Sequence, residues 1–414
     1  MKKIILQGRG NCLRAAVIER DELIEVFEEE MSWLVGSMYR GRVENVLPGM
    51  QAAFVDIGLA KNAYLYIRDV LLPSPLRGKE EWLAAFPKNL AIGALLKPRQ
   101  ELVVQIIKEP AGNKGARVTT QVTLPGRYTV ILPNVNYVGV SHKIVDEQER
   151  ERLRLLAEEI RPSDCGLILR TMAEGIAAEE IRADIQRMIT LWREIEAKTP
   201  HVSMPGLIHR DADLFSRLIR DVIDAEVDQL VVDEENMAKM LRAALKELNH
   251  PACRKVVWDA QEDLFAKYEI YGEIDKALHS KVWLKSGGYL VVQETEALVV
   301  IDVNTGKYTG KQSLVETVLH INLEAAEEIA RQLRLRNLGG IIVIDFIDME
   351  TAADRHRVLN QLEQCCQNDK IKCQVLGLTK LGLVEMTRKR VGQTLSSRYT
   401  KMCSACDGGG RIGK

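Results

Sequence analysis

Residues 281–348 constrain this chain more than any other stretch, because two dense apolar runs there each end in an acid and enclose a long amphipathic segment. The run from Leu290 to Val303 closes on Ala297-Leu298-Val299-Val300-Ile301-Asp302-Val303 and then meets the turn-prone Asn304-Thr305-Gly306. It reads as a buried strand with Asp302 at its C-terminal end. Residues 312–336 place Leu323, Ala326, Ala330 and Leu333 on one helical stripe, and Gly339-Gly340 supplies the C-cap. Ile341-Ile342-Val343-Ile344-Asp345-Phe346 is a second buried strand, again ending in an acid. A strand-helix-strand crossover makes the two strands parallel, so Asp302 and Asp345 are expected on neighbouring strand tips.

Two carboxylates at the mouth of an apolar sheet repel each other and lose hydration, unless a cation or a shared proton offsets the cost. A hard divalent ion, most simply Mg²⁺, is the natural solution, and Mg²⁺ shares its sphere readily with phosphate oxygens. A single strand-end aspartate more often caps a loop; two in one unit weaken that reading. Asn304 is either an amide that orients a water or phosphate, or a turn former. Asp348 is placed on the loop that follows.

The 414 residues suggest about three domains. Hydrophobic residues at 46% and charged residues at 28% exclude a disordered or collagen-like chain. The net charge of -1 creates no global field for a polyanion, so any nucleic-acid contact is local. No apolar run reaches the roughly 18 residues that cross a bilayer, and Met1-Lys2-Lys3 opens no cleavable leader, which predicts a cytoplasmic protein. There the eight cysteines are expected as buried thiols or metal ligands.

Residues 1–35 alternate as paired strands, and 36–118 continue as β with Gly41, Pro48-Gly49 and Gly58 as punctuation, which suits a small closed barrel. Residues 71–98 read as a loop with one short helix. Further β structure over 118–140 precedes a helix at 147–159, a strand at 166–170, and helices at 177–198, 211–225 and 233–248. Phe54 and Tyr64 offer faces on which bases stack, while Lys108 and Lys114 reach phosphates; alternating aromatics are otherwise core residues. Gly112-Asn113-Lys114-Gly115 is an incomplete phosphate loop. Arg388-Lys389-Arg390, with Lys380 and Arg398 nearby, forms a local basic patch, either solvated surface or a grip on a nucleic-acid backbone.

Cys403-Ser404-Ala405-Cys406 has zinc-ligand spacing but supplies two of four thiolates. The others must come from elsewhere: Cys365, Cys366 and Cys373 are an intrachain source but read more simply as buried thiols, and a redox dithiol is a further reading.

Taken together these motifs resemble the bacterial ribonuclease E/G family, and its G type more closely, over essentially the whole chain. The resemblance is carried by Trp283-Leu284-Lys285-Ser286-Gly287-Gly288-Tyr289-Leu290, by 300–306, by 339–349, by Gly382-Leu383-Val384-Glu385-Met386-Thr387-Arg388 and by Cys403-x-x-Cys406. It implies a multidomain α+β and α/β architecture: an RNase H-like subdomain split between 1–35 and 209–278, an inserted S1 (OB-fold) barrel at 36–118 and a 5′-sensor at 119–208. A DNase I-like catalytic subdomain at 279–400 and a zinc link at 401–414 complete it. Gly36-x-x-Tyr39-x-Gly41-x-Val43 and Phe54-Val55-Asp56-Ile57-Gly58 resemble the S1 barrel in particular, with Tyr64 where that family has phenylalanine.

The resemblance further implies endonucleolytic cleavage of single-stranded RNA to 5′-phosphate and 3′-hydroxyl products, in rRNA processing and mRNA decay. Asp302 and Asp345 are then Mg²⁺ ligands assisted by Asn304. Gly126, Val130, Arg170 and Thr171 form a pocket that gives preference to 5′-monophosphorylated RNA. Cys403 and Cys406 share one structural Zn²⁺ with a second copy, giving a homodimer. Family members continue past the zinc link into a small dimerisation domain, whereas this sequence ends at Lys414. The alternative is a non-catalytic S1-type RNA-binding scaffold, which the presence of both aspartates disfavours.

Overall fold

The computed structural model describes residues 1–9, 12–29, 34–72, 90–110, 114–306, 314–401 and 403. The chain is mixed α+β and divides into two compact units, one combining Met1–Glu28, Glu226–Arg242 and Arg254–Lys414, the other Glu29–Ala225 and Ala243–Cys253.

In the first unit the N-terminal alternation folds as expected. Lys2–Arg9, Cys12–Glu19 and Glu22–Glu28 form an antiparallel meander, to which Gln229–Val232 and then Val256–Trp258 add in parallel. The same unit carries a six-stranded sheet in the order Lys281–Trp283, Tyr289–Glu294, Leu298–Asn304, Gly340–Asp345, Val384–Arg388, Cys373–Leu378. Helices Leu314–Leu335 and Ala352–Gln367 follow its central strands. Val299, Ile301, Val303, Ile342 and Ile344 pack with Ala325, Ile329, Leu362 and their neighbours in one core. Each such buried Val, Ile or Leu side chain contributes about 1.5–3 kcal/mol. The alternate residues of the same strands stay half-buried or exposed, so the sheet has one covered and one open face.

The single run expected over 290–303 is a hairpin instead: Tyr289–Glu294 pairs antiparallel with Leu298–Asn304. Thr295 turns the chain, its hydroxyl donating to the Leu298 carbonyl at 2.7 Å and accepting from the Leu298 amide at 3.1 Å. The crossover itself is parallel, with Leu298 opposite Ile341 and Asp302 opposite Asp345.

In the second unit, Met38–Leu47, Ala52–Asp56, Ala63–Tyr66, Arg117–Thr119 and Glu101–Lys108 close into a five-stranded OB-like barrel, because the last strand pairs back onto the first. Gly41 is required there: a Cβ would stand 2.8 Å from the Asp56 carbonyl oxygen and 2.8 Å from a Val55 methyl. A second, four-stranded sheet is built from Leu124–Pro125, Thr129–Pro133, Val138–Val140 and Cys165–Leu169, with helices Glu147–Ile160 and Ala178–Lys198 packed into its core. The helix expected over 211–225 shrinks to Leu214–Arg217 and the wider turn Leu218–Val222. Of the loop expected over 71–98, residues 73–89 lie outside the described residues, and Ile92–Leu95 is the short helix. Among the described residues no helix is long and apolar enough to cross a membrane.

Candidate functional site

Strand period decides which side chains meet on the open face. Asp302 and Asp345 are register partners on adjacent parallel strands, so their carboxylates project side by side. Asn304, two residues beyond Asp302 on the same face, donates its amide to Asp302 Oδ2 at 2.7 Å and keeps its own carbonyl oxygen for another group. Among the described residues no lysine or arginine forms an ion pair with either aspartate. Two adjacent anions without a cation suit a divalent ion with few protein ligands, and the donor set of two carboxylates and an amide carbonyl is all oxygen, as Mg²⁺ requires. No larger group of acids, histidines and cysteines gathers as a metal cluster among the described residues.

Sequence reasoning missed the residue that fixes the far side of this site. Asn322, wholly buried on helix Leu314–Leu335, donates to the Ile347 carbonyl at 2.8 Å and accepts from the Ile347 amide at 3.1 Å. It clamps the chain two residues past Asp345, satisfying backbone that has left the ladder. A lone asparagine inside an otherwise apolar helical stripe was the available signal. Asp348 lies exposed beyond the strand. On the near side, the glycine turn closes against the strand end: a Cβ on Gly288 would meet the Asn304 carbonyl oxygen at 2.9 Å.

The basic run does not form one patch. Val384, Met386 and Arg388 alternate inward, so the Arg388 guanidinium is 2% exposed and pairs with Asp369 at 2.7 Å, while Nη1 donates to the Leu338 carbonyl at 2.7 Å. Lys389 and Arg390 are exposed; Arg390 Nε donates to the Gly339 carbonyl at 2.9 Å. The expectation that placed Arg388 on a backbone-gripping surface is thus corrected: its alternation with Val384 and Met386 turns it into the core.

On the barrel, Phe54 and Tyr64 are register partners whose rings meet edge to face, 6.1 Å apart. The ladder continues from Tyr64 to Arg117 and from Arg117 to Lys108, which sets two rings and two cations in one row. Arg117 was missed; it pairs with Asp69 at 2.7 Å, and its place in the row follows from strand period. Lys114 is exposed, and Gly112 and Asn113 of the glycine loop lie outside the described residues.

The structure also draws Gly126, Arg170 and Thr171 together. Arg170 Nη1 donates to the Gly126 carbonyl at 2.5 Å, and Nη2 pairs with Asp221 at 2.7 Å. Val130 lies on the adjoining strand opposite Ile168, and the Thr171 hydroxyl is 3.0 Å from that of Ser141. Burial alone would raise the Asp221 carboxyl; the Arg220 and Arg170 guanidiniums outweigh it and hold it below the ordinary aspartate range. Beneath this cluster sits a third missed residue, Asp184, 2% exposed, which accepts from the amides of Arg127, Tyr128 and Thr129 at 3.2, 2.9 and 3.1 Å and from the Thr129 hydroxyl at 2.8 Å. Only glycine fits above it, since a Cβ at 126 would stand 2.4 Å from Asp184 Oδ2.

Cys403 is exposed and Cys406 lies outside the described residues. Of the other thiols, Cys373 is held well above the usual range by its hydrogen bond to Cys366 and by burial, the protonated state that a metal ligand must leave.

Residues 123–391 match the Ribonuclease E/G family. The chain is 40% identical over 390 residues to ribonuclease G of Escherichia coli (strain K12), covering 94% of this chain and 79% of that protein. It is 39% identical over 417 residues to ribonuclease G of Haemophilus influenzae, covering 99% and 84%. To ribonuclease E of Nostoc sp. it is 42% identical over 399 residues, covering 95% of this chain and 57% of that protein. The register-paired aspartates fall inside the matched segment, and the chain belongs to the ribonuclease E/G family.

Proposed function

We propose that this chain, an endoribonuclease by its family, cuts single-stranded RNA at the open-face pair Asp302 and Asp345, leaving 5′-phosphate and 3′-hydroxyl ends, in RNA processing and decay in the cytoplasm. The observation that carries the reading is the parallel register of the two aspartates, with Asn304 on Asp302. Asp302 and Asp345, with the Asn304 side-chain carbonyl, would hold Mg²⁺, which would supply an activated water and neutralise charge that develops on the scissile phosphate. The protein's part is positional. Asn304 holds one Asp302 oxygen, the Asn322 clamp sets the strand end at Asp345, and the covered face keeps both strands rigid.

The barrel row of Phe54, Tyr64, Arg117, Lys108 and nearby Lys114 supports S1-type binding of the strand, with bases on the rings and phosphates on the cations. Lys389 and Arg390 offer further backbone contacts beside the catalytic sheet. Arg170 and Thr171, set by Gly126 and Val130, donate to a 5′-monophosphate, with a guanidinium fork and a hydroxyl matched to its oxygens. Strand order and direction in the N-terminal sheet support an RNase H-like subdomain over 1–35 and 209–278, with the DNase I-like one at 279–400. Cys403 and Cys406 provide two thiolates for a zinc link, and a second copy provides the others, giving a homodimer.

The test is cleavage of a fluorescent RNA oligonucleotide with Mg²⁺, comparing the native chain with Asp302→Asn and Asp345→Asn, a 5′-monophosphate with a 5′-hydroxyl substrate, and RNA with matched DNA. Both variants should bind RNA and leave it intact. A native chain that binds but never cuts supports the scaffold alternative.

A further inference from the structure

The open face of the catalytic sheet carries an aromatic pair that the aspartates do not use. Strand register aligns Lys281 with Val291, Asp302 and Asp345 in one row across the sheet, and Trp283 with Tyr289 and Asn304 in the next. All of these project from the same face. Trp283 and Tyr289 meet edge to face with centroids 5.4 Å apart. The Lys281 ammonium lies 4.1 Å from the Trp283 ring centroid and 3.6 Å from that of Tyr289. Lys281 forms no ion pair among the described residues.

Such a pair on an edge hairpin ordinarily packs to cover its own apolar surface. Here Trp283 remains 59% exposed with Lys281 against it, which leaves a large ring surface open to solvent. With strands about 4.8 Å apart, Tyr289 is one strand from Asn304 and Trp283 two, so the rings stand roughly 5–10 Å from the aspartate rows, within reach of one nucleotide. The Lys281 ammonium lies on this flank; on the other flank, beyond Asp345, the open face presents Glu385. The platform is also held in place, because the Ser286 amide is tied to Glu324 at 3.2 Å and Gly288 abuts Asn304.

We propose that Trp283 and Tyr289, with Lys281 between them, form a stacking step that seats the RNA nucleotide next to the cleaved phosphodiester, the base on the indole face and its phosphate on the ammonium. This rests on the reading of Asp302 and Asp345 as the cleavage site. Aromatic faces accept any base and a lysine accepts any phosphate, so the step positions the strand without reading its sequence.

The experiment uses the full chain and an RNA oligonucleotide in which one abasic nucleotide is walked along both sides of the cleaved bond. In the native chain the abasic nucleotide should lower kcat/KM about tenfold at one position beside the bond, a loss separate from that expected where a base stacks on Phe54 or Tyr64. Trp283→Ala should lower kcat/KM about tenfold on intact RNA, chiefly through KM, and lose nothing further at that position; Trp283→Phe should recover most of the loss. RNA should also quench indole emission more in the native chain and in Asp302→Asn than in Trp283→Phe. Penalties that multiply at every position, or a quench unchanged in Trp283→Phe, overturn the stacking step. Normal cleavage by Asp302→Asn instead overturns the aspartate reading, and the quench then decides the platform by itself.

Discussion

Asp302 and Asp345 stand directly opposite each other on neighbouring parallel strands, and no lysine or arginine among the described residues pairs with either. Such a pair costs stability until a cation bridges it. Adding Mg²⁺ should therefore raise the thermal midpoint of the native chain, by the equivalent of about 2.7 kcal/mol at a hundredfold excess over Kd. The Asp302→Asn, Asp345→Asn double variant should show no such rise. It should also match or exceed the metal-free native chain in stability, because the repulsion is gone. Calorimetry with and without chelator checks both; an equal Mg²⁺ response in the double variant refutes the site.

Arg388 is expected to matter for folding. Its pair with Asp369 has both side chains almost fully covered, 2% and 5% exposed, so removing the guanidinium leaves a buried carboxylate uncompensated. Arg388→Gln should cost about 3–5 kcal/mol in urea unfolding. Replacing both partners, Arg388→Met with Asp369→Leu, should restore much of the loss. Lys389→Gln, an exposed neighbour, should leave the unfolding midpoint in place and weaken RNA binding with a smaller salt dependence.

These contrasts show what could be read in the chain beforehand. Apolar periodicity fixed the strand-helix-strand unit and hence the meeting of Asp302 with Asp345, because a parallel crossover has one handedness and side chains alternate strictly. The same alternation, applied to Val384-Glu385-Met386-Thr387-Arg388, would have sent Arg388 inward; counting charges without asking which face they take hid it. Thr295 breaks an apolar run through a local hydroxyl turn that composition does not reveal. Asp184 and Asn322 escaped for a different reason: each serves backbone groups distant in sequence, 55 to 57 residues away for Asp184 and 25 for Asn322. Nothing local marks Asp184 as such a partner, and for Asn322 the one local sign is a lone polar residue in an apolar helical stripe. Arg170 and Gly126 came from family resemblance alone, and their contact became visible once both strands were placed.

Asp184 should control discrimination at the RNA 5′ end without touching RNA. Asp184→Asn keeps the shape but removes acceptor capacity beneath three amides, which costs about 1–3 kcal/mol and loosens the 126–130 turn that receives Arg170. Cleavage of a 5′-monophosphorylated oligonucleotide should fall toward the rate of its 5′-hydroxyl counterpart, which should itself change little. Gly126→Ala should do the same by steric pressure on the Asp184 carboxylate. Equal losses on both substrates would mean that Asp184 supports the fold generally.

The Arg170–Asp221 pair sets a pH dependence whose sign follows from the depressed Asp221 carboxyl. A native acid below its unfolded value near 3.9 contributes stability that is fully present above that value. The contribution is lost as pH falls through the lower native value, where the folded state at last takes up the proton. Urea midpoints of the native chain should therefore exceed those of Asp221→Asn by a constant margin from about pH 5 to pH 8, and the margin should close below about pH 4. Asp221 is partly open to solvent, at 28% exposure, so salt should narrow the margin as well. A gap that widens on acidification would show that the carboxylate is destabilised by its setting and that the guanidiniums do not hold it.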